Sequence, residues 1–376
     1  MEHSAAPGIS VPPVNPNQLS LRPAPAASVV ATPERISALA DTLHARIRGS
    51  IKEIAAINVQ ARLLSINAQI EASRAGEAGR SFAIVGQEIV GFSDRTQQAA
   101  QKLEQESETL VNELAEISRQ LATNVRGTRL SDLALTNIDL IDRNLYERSC
   151  DCRWWATDAA MVAALDQPGE ETARYASQRL GVILKAYTVY FDIVLADRTG
   201  TVVANGRPAE FHSIGTKHGN SPWFQSAVAT ASGDDFGFQS AHPSTLVGGK
   251  RVLVYSCRVC SGGDAKARPL GVLGVVFNWD GLAQKIMHET PIEPEKKAAT
   301  RVCIVDDAGT VLADSQDKML QEKLDFPERD TLFAQAKACL PVKINGAPHL
   351  AAHAKSPGFE TYRTGWHSLI LERQGR

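Results

Sequence analysis

The segment Leu63-Leu64-Ser65-Ile66-Asn67-Ala68-Gln69-Ile70-Glu71-Ala72-Ser73-Arg74-Ala75-Gly76-Glu77-Ala78-Gly79-Arg80-Ser81-Phe82-Ala83 decides how the first part of this 376-residue chain folds. Apolar residues recur on both sides of it in alternating steps of three and four, the spacing of a helix with one apolar seam. Ala40, Leu43, Ile47, Ile54, Ile57, Ala61, Leu64 and Ala68 carry that phase before it. Phe82, Val85, Ile89, Phe92, Leu103, Leu110, Leu114, Ile117 and Leu121 carry it afterwards. No proline falls between Glu34 and Leu121, and Gly76 and Gly79 supply the backbone freedom of a tight turn. The pattern predicts an antiparallel coiled-coil hairpin with arms of about 44 residues, roughly 65 Å each at 1.5 Å per residue. Two such hairpins pair as a four-helix dimer.

Near the turn the seam stops being apolar. Asn67 and Glu71 lie on it, Arg74 follows one helical step later, and Arg80, Phe82 and Ile84 mix charge with apolar surface beyond the turn. Polar seam residues cost stability and set partner number and register. The run from Ile54 to Ile89, and above all Leu63 to Ala83, resembles the signalling tip of bacterial methyl-accepting chemotaxis proteins, over about residues 36–122. By that resemblance Leu64, Asn67, Glu71 and Arg74 are the contacts through which receptor dimers join into trimers. Glu77, Arg80 and Ile84 meet a chemotaxis histidine kinase and its coupling adaptor. Val59, Arg62, Gln69 and Ser81 depart from the family's usual Phe, Asn, small residue and Gly. Glu104, Glu106, Glu108, Glu113 and Glu116 are either methyl acceptors or a solvated helix face.

Outside the hairpin, composition narrows the choices. Net charge is −2, with 40 Lys+Arg against 42 Asp+Glu, which argues against a nucleic-acid partner. The longest apolar run, Leu270 to Trp279, is about half of what a bilayer span needs and reads as a buried strand. Residues 1–33 hold seven of the 18 prolines and no apolar core of a signal peptide, so a disordered tail is expected. Six cysteines without an export signal point to free thiols in a reducing cytoplasm.

Helix is expected to continue from Leu130 to about Ala164, with Arg126-Gly127-Thr128 as the joint between modules, because glycine weakens a helix. Another helix runs from Thr172 to Tyr187. Beyond it lies an internal repeat. Asp192-Ile-Val-Leu-Ala-Asp-Arg-Thr-Gly-Thr-Val-Val-Ala-Asn205 recurs as Arg301-Val-Cys-Ile-Val-Asp-Asp-Ala-Gly-Thr-Val-Leu-Ala-Asp314. Each copy reads as strand, Asp-x-x-Gly turn, strand. Leu253–Cys260, Val272–Trp279, 341–344 and 364–371 add further strands.

Over about residues 130–372 this organisation resembles the double Cache sensor, a long helix followed by two PAS-like lobes, each an antiparallel sheet flanked by helices. The resemblance implies a small-molecule pocket in the first lobe, lined by Trp223, Phe224, Phe238, Ser240, His242 and Tyr255. The second lobe is expected to have a core of its own. Amino-acid-sensing members carry Arg, Tyr and Asp where this chain has Ser221, Phe224 and Val276, so the carboxylate fork is missing.

The expected organisation is a tail (1–33), a signalling hairpin (34–125), connecting helices (126–188), a first lobe (189–290) and a second lobe (291–376). The fold class is mainly α plus α+β. Cys257-Arg-Val-Cys260 and Cys150-Asp-Cys152 have poor ligand geometry on a strand and a helix, and His212, His218 and His242 are scattered, so no metal or cofactor is expected. Gly262-Gly263-Asp264 resembles the diguanylate cyclase signature but lacks the Glu-Phe that should follow; no nucleophile–base arrangement marks an enzyme. The reading is a cytoplasmic chemoreceptor, homodimeric and assembling into trimers of dimers. Two alternatives stay open: a ligand-binding regulator whose hairpin only dimerises, and an intracellular redox or metal sensor.

Overall fold

The computed structural model describes residues 33–375; the tail expected over 1–33 lies outside them except for Pro33, which opens the first helix. Helix α1 (Pro33–Arg74) and helix α2 (Arg80–Trp155) are joined by one 3-10 turn, Gly76–Gly79. Gly76 has φ of +60°, the left-handed conformation a turn here requires. Ion pairs Arg62–Asp94 at 3.2 Å and Arg48–Glu104 at 3.9 Å join the arms, and the Ser65 hydroxyl donates to the Gly86 carbonyl.

Apart from Ala40, the residues buried between the arms are not those of the expected seam. Leu43, Ile57, Leu64, Val85, Phe92 and Leu110 are exposed. The buried line is Ile51, Asn58, Ser65, Ala72, Gly79, Gly86, Ser93, Ala100 and Ser107, each seven residues after the last. Size explains the difference. A Cβ on Gly79 would collide with the Ala72 carbonyl, and one on Gly86 would stand 2.8 Å from Gln69 Cγ and 3.3 Å from the Ser65 carbonyl. Near the turn, backbones this close admit only small side chains, so large apolar ones such as Leu64 and Val85 face outward there.

The chain divides into two compact units, the first ending at Thr123 and the second covering Asn124–Arg376. The expected joint at Gly127 is absent, because α2 runs unbroken to Trp155. Gly127 is buried against strand β8 (Lys337–Ile344), and a Cβ there would lie 3.0 Å from Cys339 Sγ. The glycine serves close packing. The helix also stops nine residues short of Ala164; a separate α3 (Ala159–Asp166) starts at Asp158, whose carboxylate caps the Ala160 amide at 2.8 Å. Helix α4 (Glu170–Ala186) leads into the sheets.

The first lobe is β1 (Tyr190–Asp197), β2 (Val202–Asn205), α5 (Pro222–Val228), β3 (Gly237–Ser244), β4 (Lys250–Cys260) and β5 (Pro269–Asn278). Helices α6 (Trp279–Glu289) and α7 (Pro294–Lys297) bridge to the second lobe: β6 (Thr300–Val305), β7 (Val311–Asp314), α8 (Arg329–Phe333), β8, β9 (Ala347–Lys355) and β10 (His367–Arg373). The sheets have the same order, β2-β1-β5-β4-β3 and β7-β6-β10-β9-β8, with every pairing antiparallel. The repeat holds at atomic detail. Asp197 Oδ1 accepts from the Thr199 and Thr201 amides at 2.8 and 3.0 Å, and Asp306 Oδ1 from Ala308 and Thr310 at 3.0 and 2.8 Å. Gly200 and Gly309 have φ of +85° and +82°.

The lobes do not have wholly separate cores. Leu130, Ala134, Ile138, Ile141 and Leu145, one stripe of α2, lie in a single cluster with Leu195, Tyr255 and Leu273 of the first sheet and Ile304, Ala352 and Ile370 of the second. Each sheet has a smaller cluster on its other face. Buried Asp142 on α2 accepts from Ser356 Oγ, the Gly358 amide and Thr364 Oγ1 at 2.6, 2.8 and 2.8 Å.

Gly127→Leu separates a joint from a packing contact. A joint glycine replaced by a good helix former gains up to about 1 kcal/mol. Overpacking against Cys339 instead costs about 1–3 kcal/mol, and urea unfolding followed by tryptophan fluorescence should read that loss, since all five tryptophans lie in the second unit.

Candidate functional site

At the hairpin tip Leu64, Asn67, Glu71, Arg74, Glu77, Arg80 and Ile84 are all exposed, while Ser65, Ala72, Gly79 and Gly86 are buried. At about 100° per residue, Leu64 and Glu71 stand about 100° from the buried line on α1, and Asn67 and Arg74 about 160°. Arg80 and Ile84 stand about 120° and 160° from Gly86 on α2. Seen from the turn both rotations have the same sense on arms that face each other, so Leu64 and Glu71 occupy one side of the hairpin and Arg80 the other. Arg74 donates to Glu71 at 2.7 Å across one helical step. Both side chains are largely solvated, so this pair contributes little to stability.

In the first lobe the sheet divides the six expected pocket residues. Trp223 and Phe224 pack on one face with Val194, Val254, Val276 and Phe211. Tyr255 and Phe238 belong to the other face, with ring centroids 5.1 Å apart and Tyr255 Oη 2.5 Å from Tyr362 Oη of the second lobe. The single pocket expected from the sequence is corrected to two surfaces. The cause is the period of two: Val254 and Tyr255 are neighbours on β4 and must point to opposite sides. Ser240 and His242 sit on edge strand β3 beside a register shift, with His242 Nδ1 2.8 Å from the Ser240 carbonyl.

The Trp223 face carries the polar chemistry. Asp192 accepts from the amides of Ile193, Gly206 and Arg207 at 2.8, 3.0 and 3.1 Å and from Asn205 Nδ2 at 2.9 Å. Burial pushes its carboxyl up to about 6 against those donors. His218 bridges Thr216 Oγ1 (3.0 Å) and Ser221 Oγ (3.1 Å), its ring 5.8 Å from that of Trp223. Burial holds it below the usual histidine range. Trp223 Nε1, Ser213 Oγ and Asn205 Oδ1 are buried without a hydrogen-bond partner among the described residues. Asn205 closes the first copy of the repeat, whereas Ser213 lies outside any motif.

No set of three His, Cys, Asp or Glu groups among the described residues is arranged to hold a metal ion. His212 is exposed, and His218 and His242 are engaged separately. The six cysteines are unpaired, and burial pushes the Cys257 and Cys303 thiols up to about 12, which disfavours thiolate chemistry.

The second lobe holds a cluster the sequence did not announce. His353 Nε2 lies 2.7 Å from His367 Nδ1, and His367 Nε2 lies 2.7 Å from Asp307 Oδ1. Phe333 stacks on both rings, at 5.2 and 4.0 Å between centroids. Burial, with His367 and Lys355 nearby, pushes His353 down to about 3. Burial also lowers His367, which Asp307 partly counteracts. The contacts fit two neutral rings that donate in sequence towards Asp307, whose own carboxyl that bond holds low.

Two PAS-like sheets sharing one helix, preceded by a helical turn with an exposed charged tip, define a sensor joined to a transducer element. The profile described as "Cache domain" matches residues 94–372, and the chain belongs to that family. The profile described as "Methyl-accepting chemotaxis protein (MCP) signalling domain" matches residues 26–138. Methyl-accepting chemotaxis protein McpS of Pseudomonas putida is 40% identical over 82 residues, 22% of this chain and 12% of that protein. McpN of Pseudomonas aeruginosa is 36% identical over 99 residues, 25% of this chain and 18% of its own length. The chain thus spans less than a fifth of these two relatives.

Among solved structures, the ligand-binding domain of Campylobacter jejuni chemoreceptor Tlp3 in complex with L-valine superposes with a TM-score of 0.50 at 17% identity, covering 66% of this chain and 93% of that one. The Vibrio cholerae histidine kinase DctB sensor domain gives 0.50 at 14%, covering 68% and 99%. At these identities the likeness is one of fold.

The depressed His353 gives a pH prediction. Its unfolded form takes up a proton near pH 6.5 while the folded form resists until about 3, so acidification favours unfolding across that window. Asp192, raised to about 6, opposes the trend. The clean reading is therefore a difference. Between pH 6.5 and 5 the wild-type chain should lose about 1.6 kcal/mol more stability in urea than His353→Phe does. Parallel pH profiles would show that the histidine pair does not carry the effect.

Proposed function

We propose that this chain is a chemoreceptor that senses a small molecule through its Cache lobes and controls a chemotaxis histidine kinase, through the coupling adaptor, at the hairpin tip. The carrying observation is the tip: the residues that match the family's partner contacts are exposed, while a heptad of small residues is used up between the arms. The outward apolar residues Leu43, Ile57, Val85 and Phe92 then suit a second copy, giving a coiled-coil four-helix dimer, with Leu64, Asn67, Glu71 and Arg74 joining dimers into trimers. Glu77, Arg80 and Ile84 meet the kinase and adaptor on the other side. The domain limits proposed are hairpin 34–125, connecting helices 126–188 and lobes 189–290 and 291–376.

We read sensor and tip as sharing one compartment, the cytoplasm. Helix α2 runs from the tip into the lobes, and among the described residues no helix is long and apolar enough to cross a membrane. For the ligand, Trp223 Nε1 and Ser213 Oγ, both without partners, favour a molecule that offers a hydrogen-bond acceptor. Tlp3 was crystallised with L-valine, but Ser221, Phe224 and Val276 offer no charged pair for an amino acid. Trp223 is fully buried, so Trp223→Ala would remove about 3–5 kcal/mol of packing and cannot report ligand loss cleanly.

Reconstitution with a kinase and adaptor tests the reading. Arg80→Ala should weaken adaptor binding with crosslinked assemblies intact, whereas Glu71→Ala should reduce higher-order crosslinking. Normal kinase control in both variants would leave the hairpin as a dimerising element alone. Light scattering that finds only monomer at micromolar concentration would remove the bundle.

A further inference from the structure

Where α2 ends, three helices frame an open cleft of about 780 Å³ that neither the hairpin nor the sheet faces use. Its volume lies within the range of small-molecule sites. Tyr175, Arg179 and Ile183, spaced four apart, line it from one stripe of α4. Opposite them α3 presents Ala159, Ala160 and Ala163, whose small side chains leave the space open. Trp154 and Trp155 close the end.

Two features point to a ligand. Trp154 is 69% exposed and Tyr175 54%, an unusual use of large aromatic surface within one concavity. The other four tryptophans are buried. Within this aromatic frame stands one ion pair, Arg179 Nη2 to Asp158 Oδ2 at 3.1 Å. Its capacity is lopsided. Asp158 is already engaged at both oxygens, since Oδ1 caps the Ala160 amide. Arg179 spends one N–H on Asp158, and its other N–H groups have no partner among the described residues. Asp158 thus orients the guanidinium and leaves donors for a planar acceptor.

We propose that this cleft binds a small aromatic carboxylate, with the ring against Trp154 and Tyr175 and the carboxylate on Arg179. The site adds a chemically defined ligand to the sensor reading above, and it touches α2, the helix that carries both lobes. Binding is measured without kinase, so its failure leaves that reading standing, and failure of kinase control leaves this site standing.

Benzoate is the probe, titrated into the full chain by calorimetry, with tryptophan emission as a second readout. Saturable one-to-one binding should alter chiefly the red edge of the emission, which Trp154 supplies. Cyclohexanecarboxylate, lacking the aromatic ring, and benzyl alcohol, lacking the carboxylate, should each bind at least about tenfold more weakly. Arg179→Gln and Trp154→Ala should each cost benzoate at least about tenfold with far-UV circular dichroism and melting temperature preserved. Absence of saturation by about 10 mM, a weaker affinity than the minimum expected of a specific site, would overturn the proposal. So would unchanged affinity in both variants. If Trp154→Ala leaves benzoate binding intact but lowers self-association in light scattering, the aromatic surface is a contact between copies and the proposal falls.

Discussion

Burial of one stripe of α2, Leu130, Ala134, Ile138, Ile141 and Leu145, is the interaction on which the second unit depends. Each of the larger side chains is worth about 1.5–3 kcal/mol when withdrawn from water, and here one helix face supplies apolar surface to two sheets at once. Polar pins fix the rotation of that face. Asp142 gathers three donors from the loop before β10, and Arg126 binds Glu293 at 2.5 Å as well as the buried Glu372. Arg148 lies over the rings of Tyr190 and Phe277. A buried carboxylate with three donors tolerates little displacement, because any broken bond leaves charge uncompensated in a dry interior. Sliding α2 against the lobes therefore disturbs both sheets together, and the Tyr255–Tyr362 hydroxyl contact joins them a second time.

The hairpin shows what periodicity reveals and what it hides. The turn was legible because Gly76 and Gly79 interrupt a long proline-free helical pattern. The inward face was not, because in an apolar pattern large side chains mark the seam. Between two backbones in near contact, size outweighs hydrophobicity: Ser65, Ala72, Gly79, Gly86 and Ser93 are buried because larger side chains would not fit. A strict seven-residue repeat of small residues runs from Ser65 to Ser107 in the sequence. Serine and glycine count as neutral in an apolar pattern, which hides such a repeat.

Similar physics separates the legible strands from the missed ones. β1, β2, β6 and β7 are Val/Ile/Leu-rich and flank Asp-x-x-Gly turns, so both composition and turn chemistry declared them. β3 contains Ser, His and Pro243, while β9 is rich in alanine, a helix former. Tertiary pairing overrides those propensities. Pro243 and Pro341 lie on β3 and β8, the edge strands of their sheets, where a missing amide proton costs no ladder bond. Gly127 misled for a related reason: its local effect is to weaken a helix, and only the neighbouring Cys339 reveals why it is needed.

The site residues were least legible because the sheet decides which of them meet. Trp223 and Tyr255 belong to the same lobe, yet a strand period of two and the sheet between them place one by His218 and the other by Tyr362. The repeat makes the same point at the level of lobes. Asp192 and Asn205 in the first copy stand where Arg301 and Asp314 stand in the second, so a buried carboxylate held by amides becomes a guanidinium held by carboxylates. The second lobe also keeps a histidine pair under Phe333, where the first packs Trp223 and Phe224 on the corresponding face. Duplication conserved the hydrogen-bonded frame, Asp197 matching Asp306 and Gly200 matching Gly309, because the turns cannot close without it. The helix-covered faces carry no such requirement. They are free to differ, and one fold can therefore hold two surfaces of different chemistry, each on the sheet face away from α2.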